Sequence, residues 1–284
     1  MLEHPENRRD SAAPQAGGAA SPEDDRLSAD GIRKHLLPPA SELRLDVRDS
    51  VTSTSSLLRD RAVAGDRRAV AMIAAAQTAG RGKPGRSFFS PPDTGIYLSV
   101  LLFPELAAGR APLIGTEAAA AVCEAIEEVS GKRPWIKWVN DILIGGKKVC
   151  GILTEASVRE SEQKPDYVIV GIGINVYPPR GGFPEELRET AGSVFESVRP
   201  DTKNRLAAEV LNHLMRRFEA LERGTPAEGY LGRSLAAGKR IAVRSGEGER
   251  PAAVLDIDAD CRLHIRYDDG EEAVLSAGEI RILP

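Results

Sequence analysis

The chain has 284 residues, 42% apolar and 28% charged, with a formal net charge of −4. At this length a folded chain buries roughly 70–75% of its unfolded surface, so its core needs no disulfide or metal staple. A charge near zero argues against bulk electrostatic capture of nucleic acid, and no run approaches the ~18 apolar residues of a membrane span.

Residues 1–26 are poor in large apolar side chains, rich in Pro, Gly, Ala and charge, and lack the apolar run of a secretion signal. They read as a disordered tail. Leu27, Ile32 and Leu36 then fall at helical spacing in a stub from Ser28 to Leu37, which Pro38-Pro39 stops. Arg44 to Val47 alternates like a strand, and Thr52 to Ser55 precedes LLRDRAVA as a hydroxyl-capped helix start. A buried strand is predicted at Val70–Ala76, followed by the loop GRGKPGR at 80–86, a turn at Pro91-Pro92 and the strand IYLSVLLF at 96–103.

Leu113 to Val129 reads as a small-residue helix closed by Gly131. Strands follow at Trp135–Val139, Ile142–Ile144 and Val149–Glu155, with Gly145-Gly146 as a hairpin turn. Tyr167 to Val176 is another apolar strand, interrupted by Gly171 and Gly173. Asp201 is placed to cap a helix whose Leu206, Val210, Leu214, Phe218 and Leu221 form a core-facing stripe ended by Gly224. From Ala236 the texture becomes short alternating runs at 241–243, 252–257, 263–267 and 273–275, with Asp269-Gly270 as a turn signal. The expectation is an α+β domain over 27–232 and a small β-barrel-like domain over 233–284. The three cysteines are odd in number and far apart, which points to a reducing, cytoplasmic setting, and the four scattered histidines leave no transition-metal site.

Gly80-Arg81-Gly82-Lys83-Pro84-Gly85 is a literal GxGxxG. A dinucleotide site needs a helix opening directly after the loop, and Pro84, Pro91 and Pro92 forbid one. A phosphate-binding P-loop fails too, because Gln77 stands where its first glycine belongs and Lys83 is followed by Pro84. What remains is a strand-to-strand loop with the cations Arg81, Lys83 and Arg86 and no acid among them. Taken alone, it is equally well a solvated basic turn or a ligand loop whose cations suit a phosphate or carboxylate. Further on, Lys137-Trp138-Val139-Asn140-Asp141 ends a strand with a hard oxygen ligand suited to Mg²⁺, and Lys148 returns to the same place across the glycine hairpin. An isolated Asp and Lys are usually a surface pair, but here they accompany the glycine loop and Gly171-Ile172-Gly173-Ile174-Asn175.

Together, Ser53-Thr54, QTAGRGKPGRSFFSP (77–91), GIYLS (95–99), KWVNDILIGGKKVCGILTE (137–155) and VGIGINV (170–176) resemble the biotin–protein ligases, in the family's order and at compatible separations. The resemblance implies a catalytic domain of the class II aminoacyl-tRNA synthetase-like, biotin–lipoate ligase type with a small C-terminal SH3-like barrel. It implies a two-step reaction, in which biotin and Mg·ATP give biotinyl-5′-AMP and pyrophosphate, and a lysine of a biotin carboxyl carrier protein then displaces AMP. Carried over position by position, Ser53, Thr54, Ser55 and Gln77 line the biotin head pocket, with Gly151 beside them. Arg81, Gly82 and Lys83 belong to the loop that closes on biotin and adenylate, and Arg86 lies near phosphate. Lys148 meets the biotin carboxylate and the α-phosphate, Asn140 and Asp141 go with Mg²⁺ and triphosphate, and Asn175 lies near the ribose. Phe88 stands where the family usually has Trp, either over the adenine or under the loop. The catalytic set implied is Lys148, Arg81 and Asp141. Val139 replaces a usual proline, Lys83-Pro84 a usual Arg-Arg, and Ser55 a usual asparagine; none of these removes a chemically required group.

Cys150 sits beside Lys148 in an apolar strand with no nearby histidine, and reads as packing rather than as a nucleophile. A DNA-binding repressor would need an ordered helix-turn-helix module ahead of the core, and the residues before Val47 offer one helical stub, so no DNA partner and no membrane are expected. Lipoate–protein ligase shares the catalytic fold; the basic loop and the KWVND block favour biotin, while spacing alone does not give the specificity of the pocket. A silent binding module is disfavoured because Asp141, Lys148 and Arg81 are all present. Members of the family often pair through sheet edges, which is compatible with a homodimer.

Overall fold

The computed structural model describes residues 21–159, 164–224, 229–245 and 248–283. The two apolar runs read as buried strands form β2 (Val70–Ala74) and β3 (Gly95–Leu102), with every residue of both buried. They lie inside a seven-stranded sheet with β1 (Arg44–Arg48), β4 (Trp135–Lys137), β5 (Asp141–Ile144), β6 (Lys147–Arg159) and β7 (Lys164–Asn175), in the order β1-β2-β3-β7-β6-β5-β4. Only β1 and β2 run parallel. Alternate residues of a strand face opposite sides. Leu101 of β3 therefore packs with Leu58 and Ala62 of helix α2 (Thr54–Val63). Ile96, Leu98, Val100 and Leu102 join the larger core of α3 (Pro112–Ser130) and α4 (Thr202–Glu222). The predicted stripe of α4 is buried at Leu206, Val210, Leu214, Phe218 and Leu221; truncating such a side chain to alanine costs about 2–5 kcal/mol.

The helix ends follow local rules, with one exception. Ser28 caps α1 (Ala29–Arg33) by accepting from the Gly31 N–H, and Ser53 caps α2 by accepting from Ser56. Gly131 closes α3 in the left-handed region at φ 70°, with its N–H on the Glu127 carbonyl. At α4 the structure departs from expectation. Asp201 occupies the cap position but its carboxylate bonds His35 Nε2 at 2.7 Å and the side-chain Nδ2 of Asn204 at 2.9 Å, not a backbone N–H of the helix. The Lys203 N–H instead donates to Asp25 Oδ1 at 2.7 Å, and the Tyr177 hydroxyl donates to Asp25 Oδ2 at 2.6 Å. Asp25 is fully buried; burial pushes its carboxyl above the ordinary range, against the lowering pull of Tyr177 and Lys203. The tail therefore does not extend to residue 26. Pro22–Asp25 form a 3₁₀ turn docked on α4, and the rest of the expected tail lies outside the described residues.

The C-terminal runs form a second, antiparallel sheet of β8 (Arg240–Ser245), β9 (Gly248–Ile257), β10 (Leu263–Tyr267), β11 (Glu272–Leu275) and β12 (Glu279–Ile282), in the order β11-β10-β9-β8-β12. Strand β12 is additional to the runs read from sequence. One apolar core continues from Ile136 and Trp138 of the first sheet region to Ile241, Ile265 and Ile280 of the second. The Trp138 indole N–H donates to the Cys261 carbonyl at 2.9 Å, and the Tyr230 hydroxyl donates to the Val139 carbonyl at 2.9 Å. Among the described residues, no helix is long and apolar enough to cross a membrane.

Candidate active site

The sheet register builds a floor of small residues. Tyr97 of β3 lies opposite Gly173 of β7, which faces Gly151 of β6, which faces Asp141 of β5; the neighbouring row is Ser99, Gly171 and Leu153. The glycine loop folds over this floor as a small hairpin, with Gly82 N–H on the Arg86 carbonyl, Arg86 N–H on Lys83, and Phe88 N–H on Gly80. Gly85 makes its turn at φ 78°. The Phe88 ring settles under the loop: a Cβ on Gly173 would come within 2.5 Å of it, and one on Gly151 within 3.1 Å. The ring also meets Tyr97 edge-on at 6.3 Å. The two glycines that interrupt an otherwise apolar strand are thus explained by what lies above them, since a Cβ on Gly171 would reach 2.7 Å from Ser55 Oγ.

A chain of hydroxyls and amides closes one end of the cavity. Gln77 Oε1 accepts from the Thr54 N–H at 2.9 Å, and Gln77 Nε2 donates to Ser90 Oγ at 3.1 Å. Ser99 Oγ lies 2.7 Å from Thr54 Oγ1 and 2.9 Å from Ser55 Oγ, completely buried. A buried hydroxyl needs partners, and Ser99 ties the α2 residues to the sheet. Sequence reasoning assigned Ser99 no role, although a single small polar side chain in the run IYLSVLLF was a visible signal. Ser53, which caps α2, also lines the cavity.

The other end is charged. Lys148 Nζ lies 2.7 Å from Asp141 Oδ1 across the β5–β6 hairpin, where the paired glycines were expected to bring it. Arg81, Gly82, Lys83 and Arg86 face the same cavity from the loop, and Asn140, Gly151 and Phe88 form part of its wall. Each loop cation finds a partner from a distant part of the chain. Arg81 forms two 2.9 Å contacts with Glu155, Arg86 forms two with Glu279, and Lys83 Nζ donates to the Gly278 carbonyl at 3.0 Å. Burial pulls the Lys83 ammonium below the usual lysine range, against the raising effect of Asp141 and Glu279. Glu155 and Glu279 were not singled out in the sequence; nothing local marks either as a partner of the loop.

Two expected nucleotide contacts are engaged with backbone. Asn140 donates its amide to the Ile152 carbonyl, fastening the strand end to β6, while still lining the cavity. Asn175 donates to the Gly192 carbonyl at 3.0 Å and does not line the cavity. Cys150 is buried, and burial pushes its thiol well above the ordinary range, as suits packing rather than nucleophilic attack.

Residues 47–175 match the Biotin/lipoate A/B protein ligase family, and residues 237–282 match the Biotin protein ligase C terminal domain. The chain is 31% identical over 259 residues to the bifunctional ligase/repressor BirA of Bacillus subtilis, covering 89% of this chain and 78% of that protein. It is 31% identical over 264 residues to the biotin–[acetyl-CoA-carboxylase] ligase of Mycobacterium tuberculosis, covering 89% and 95%. In three dimensions it resembles the biotin protein ligase of Aquifex aeolicus solved with biotin and ATP, with a TM-score of 0.68 and 26% identity over 84% of this chain and 98% of that one. With both sheets, the glycine floor and the Lys148–Asp141 pair in place, these matches carry one conclusion: the chain belongs to the biotin protein ligase family.

Proposed function

We propose that this cavity binds biotin at its hydroxyl end and ATP at its charged end, and that the chain biotinylates a lysine of a carrier protein. In the first step a carboxylate oxygen of biotin attacks the α-phosphorus and pyrophosphate leaves. In the second, the carrier's lysine amine attacks the carbonyl carbon of the mixed anhydride and AMP leaves. The observation that carries this reading is the convergence of Lys148 and Arg81 on a cavity whose other wall is the Thr54–Ser99–Ser55 hydroxyl cluster. A carboxylate and a triphosphate repel each other, so neighbouring cations must hold them together. Lys148 would stabilise charge growing on the α-phosphate, and Ser53, Thr54, Ser55 and Gln77 would hydrogen-bond the polar head of biotin. Arg81, Gly82, Lys83 and Arg86 would cover the adenylate and keep water from the anhydride. Gly151 and Phe88 would shape the floor beneath it.

Asp141 supplies a hard carboxylate oxygen that fits Mg²⁺, a cation that commonly takes one or two carboxylates and fills its remaining positions with phosphate and water. Bound with the nucleotide, Mg²⁺ would offset triphosphate charge; Asp141 would orient it, with Asn140 adjacent. The carrier of acetyl-CoA carboxylase is the proposed partner, after the substrate named for the Mycobacterium tuberculosis relative. A reducing, cytoplasmic setting accords with three free, buried cysteines.

The test is direct. With biotin, ATP and MgCl₂, the protein should release pyrophosphate in a biotin-dependent manner and hold biotinyl-AMP; adding a carrier domain should give a streptavidin-reactive product and AMP. Lipoate should not replace biotin. Pyrophosphate release indifferent to biotin would refute the reading. A gel shift on the protein's own biotin-operon promoter, with biotin and ATP, checks the expectation that it does not bind DNA, and sedimentation checks for a homodimer.

A further inference from the structure

Arg81 lines the cavity, yet both its terminal nitrogens are committed to a residue that does not. Nη1 donates to Glu155 Oε2 and Nη2 to Glu155 Oε1, each at 2.9 Å. Glu155 stands on β6 opposite Ile169 of β7, four positions beyond Gly151 of the cavity floor. Its Oε1 also accepts from Arg59 Nη2. Arg59 lies four positions after Ser55 on α2, one turn beyond the pocket hydroxyls. One carboxylate therefore bridges a guanidinium of the glycine loop and a guanidinium of the helix that presents Ser53, Thr54 and Ser55.

The charge count decides what such a bridge does. A lone Arg81–Glu155 pair would be neutral and would offer an incoming anion little attraction. With Arg59 included, two cations share one anion, and the group keeps a net positive charge beside the cavity. The donor count agrees. A guanidinium has five N–H groups; the end-on pairing with Glu155 uses one from each terminal nitrogen, leaving the Nε–H and the outer N–H groups for a carboxylate or phosphate oxygen. Glu155 thus fixes the direction of Arg81 without exhausting its donors or cancelling its charge.

We propose that Glu155 is a positioning residue for adenylate formation and retention: it holds Arg81 in place at the cavity wall, and Arg59 supplies the balancing charge. Orienting partners behind a functional side chain commonly govern its affinity for a ligand. The proposal rests on the reading of the cavity as the biotin and ATP site.

The test follows release of pre-formed biotinyl-AMP from the full chain. Wild type is measured first; if it forms no adenylate, the site reading itself fails, which is distinguishable from a wild type that forms adenylate beside variants that behave like it. Glu155→Gln preserves shape but turns an NH₂ group toward one guanidinium, and should speed release about tenfold or more, the usual scale for a charge-assisted hydrogen bond. In an Arg81→Ala background the same substitution should add less than about twofold, because its effect runs through Arg81. Arg59→Gln, at a partly exposed site that tolerates the change, should speed release by about threefold or more while Tm stays near wild type. Wild-type retention in both single variants would overturn the proposal. So would slower release from Glu155→Gln, which would make Glu155 a competitor of the ligand, or an undiminished effect in the Arg81→Ala background.

Discussion

Glu279, on the last strand of the chain, holds Arg86 of the glycine loop through two 2.9 Å contacts, although 193 positions separate them. The C-terminal sheet therefore handles the loop that covers the cavity, and Lys83 on the Gly278 carbonyl adds a second tie. Both partners of the ion pair are partly exposed, and such pairs contribute about 0–1 kcal/mol to stability. Glu279→Ala should leave Tm within about 4 °C of wild type while speeding tryptic cleavage after Arg86. Equal cleavage rates in the two proteins would show that the tie does not restrain the loop.

Lys148 is the cation paired with Asp141 at the charged end of the cavity. Lys148→Ala should slow biotinyl-AMP formation by about 10²–10³, the scale for losing one preorganised donor to a charged transition state. Single-turnover pyrophosphate release measures this apart from product loss. Retention of near wild-type rate would remove Lys148 from the activating role.

Gly173→Ala places a methyl within 2.5 Å of the Phe88 ring. The ring must move or the strand must shift, and overpacking of this kind costs about 1–3 kcal/mol. The expected result is a lower denaturation midpoint together with a less protected glycine loop in hydrogen exchange. Adding Phe88→Ala should recover stability relative to Gly173→Ala alone; failure to recover would mean that the collision lies elsewhere.

Asp25 supplies a pH test. Its folded carboxyl is raised above the ordinary value of 3.8, chiefly by burial, so the native state holds the proton more tightly than the unfolded chain. Its contribution to stability is therefore fully present below the unfolded value and is lost as pH rises through the folded one. Asp25→Asn keeps an acceptor for the Lys203 N–H and removes the titration. The stability difference between variant and wild type should shift in the variant's favour with rising pH above 3.8, read from urea midpoints. Asp25→Ala should cost about 1–2 kcal/mol at the α4 terminus, as loss of a helix cap does.

Much of this architecture was legible because it is written locally. Alternation gave β1 and β8 to β11, apolar runs gave β2, β3 and β7, the α4 stripe gave its buried face, and the paired glycines gave the hairpin that sets Lys148 beside Asp141. Family likeness gave many of the cavity residues, and all but Asn175 of those carried over line it, but Ser99 and Glu279, which line it too, were not among them. What stayed hidden depends on partners far along the chain. Asp201 looked like the α4 cap because it is adjacent, whereas Asp25, 178 positions from Lys203, does the capping and sits in a stretch whose composition reads as tail. Glu155 and Glu279 resemble any surface carboxylates until the fold sets them against Arg81 and Arg86. Strand β12 is only four residues long and gains definition from pairing with β8.

Trp138 borders the cavity, is 2% exposed, and gives its indole hydrogen to Cys261 of the second sheet region. The chain's other tryptophan, Trp135, is 37% exposed and stacked under Arg133. The molecule thus carries a native optical reporter at the seam between its two sheets: blue-shifted emission from Trp138 should respond to an arriving nucleotide or to separation of the seam, while Trp135 gives a red-shifted, quencher-accessible background against which that signal can be resolved without attaching a dye.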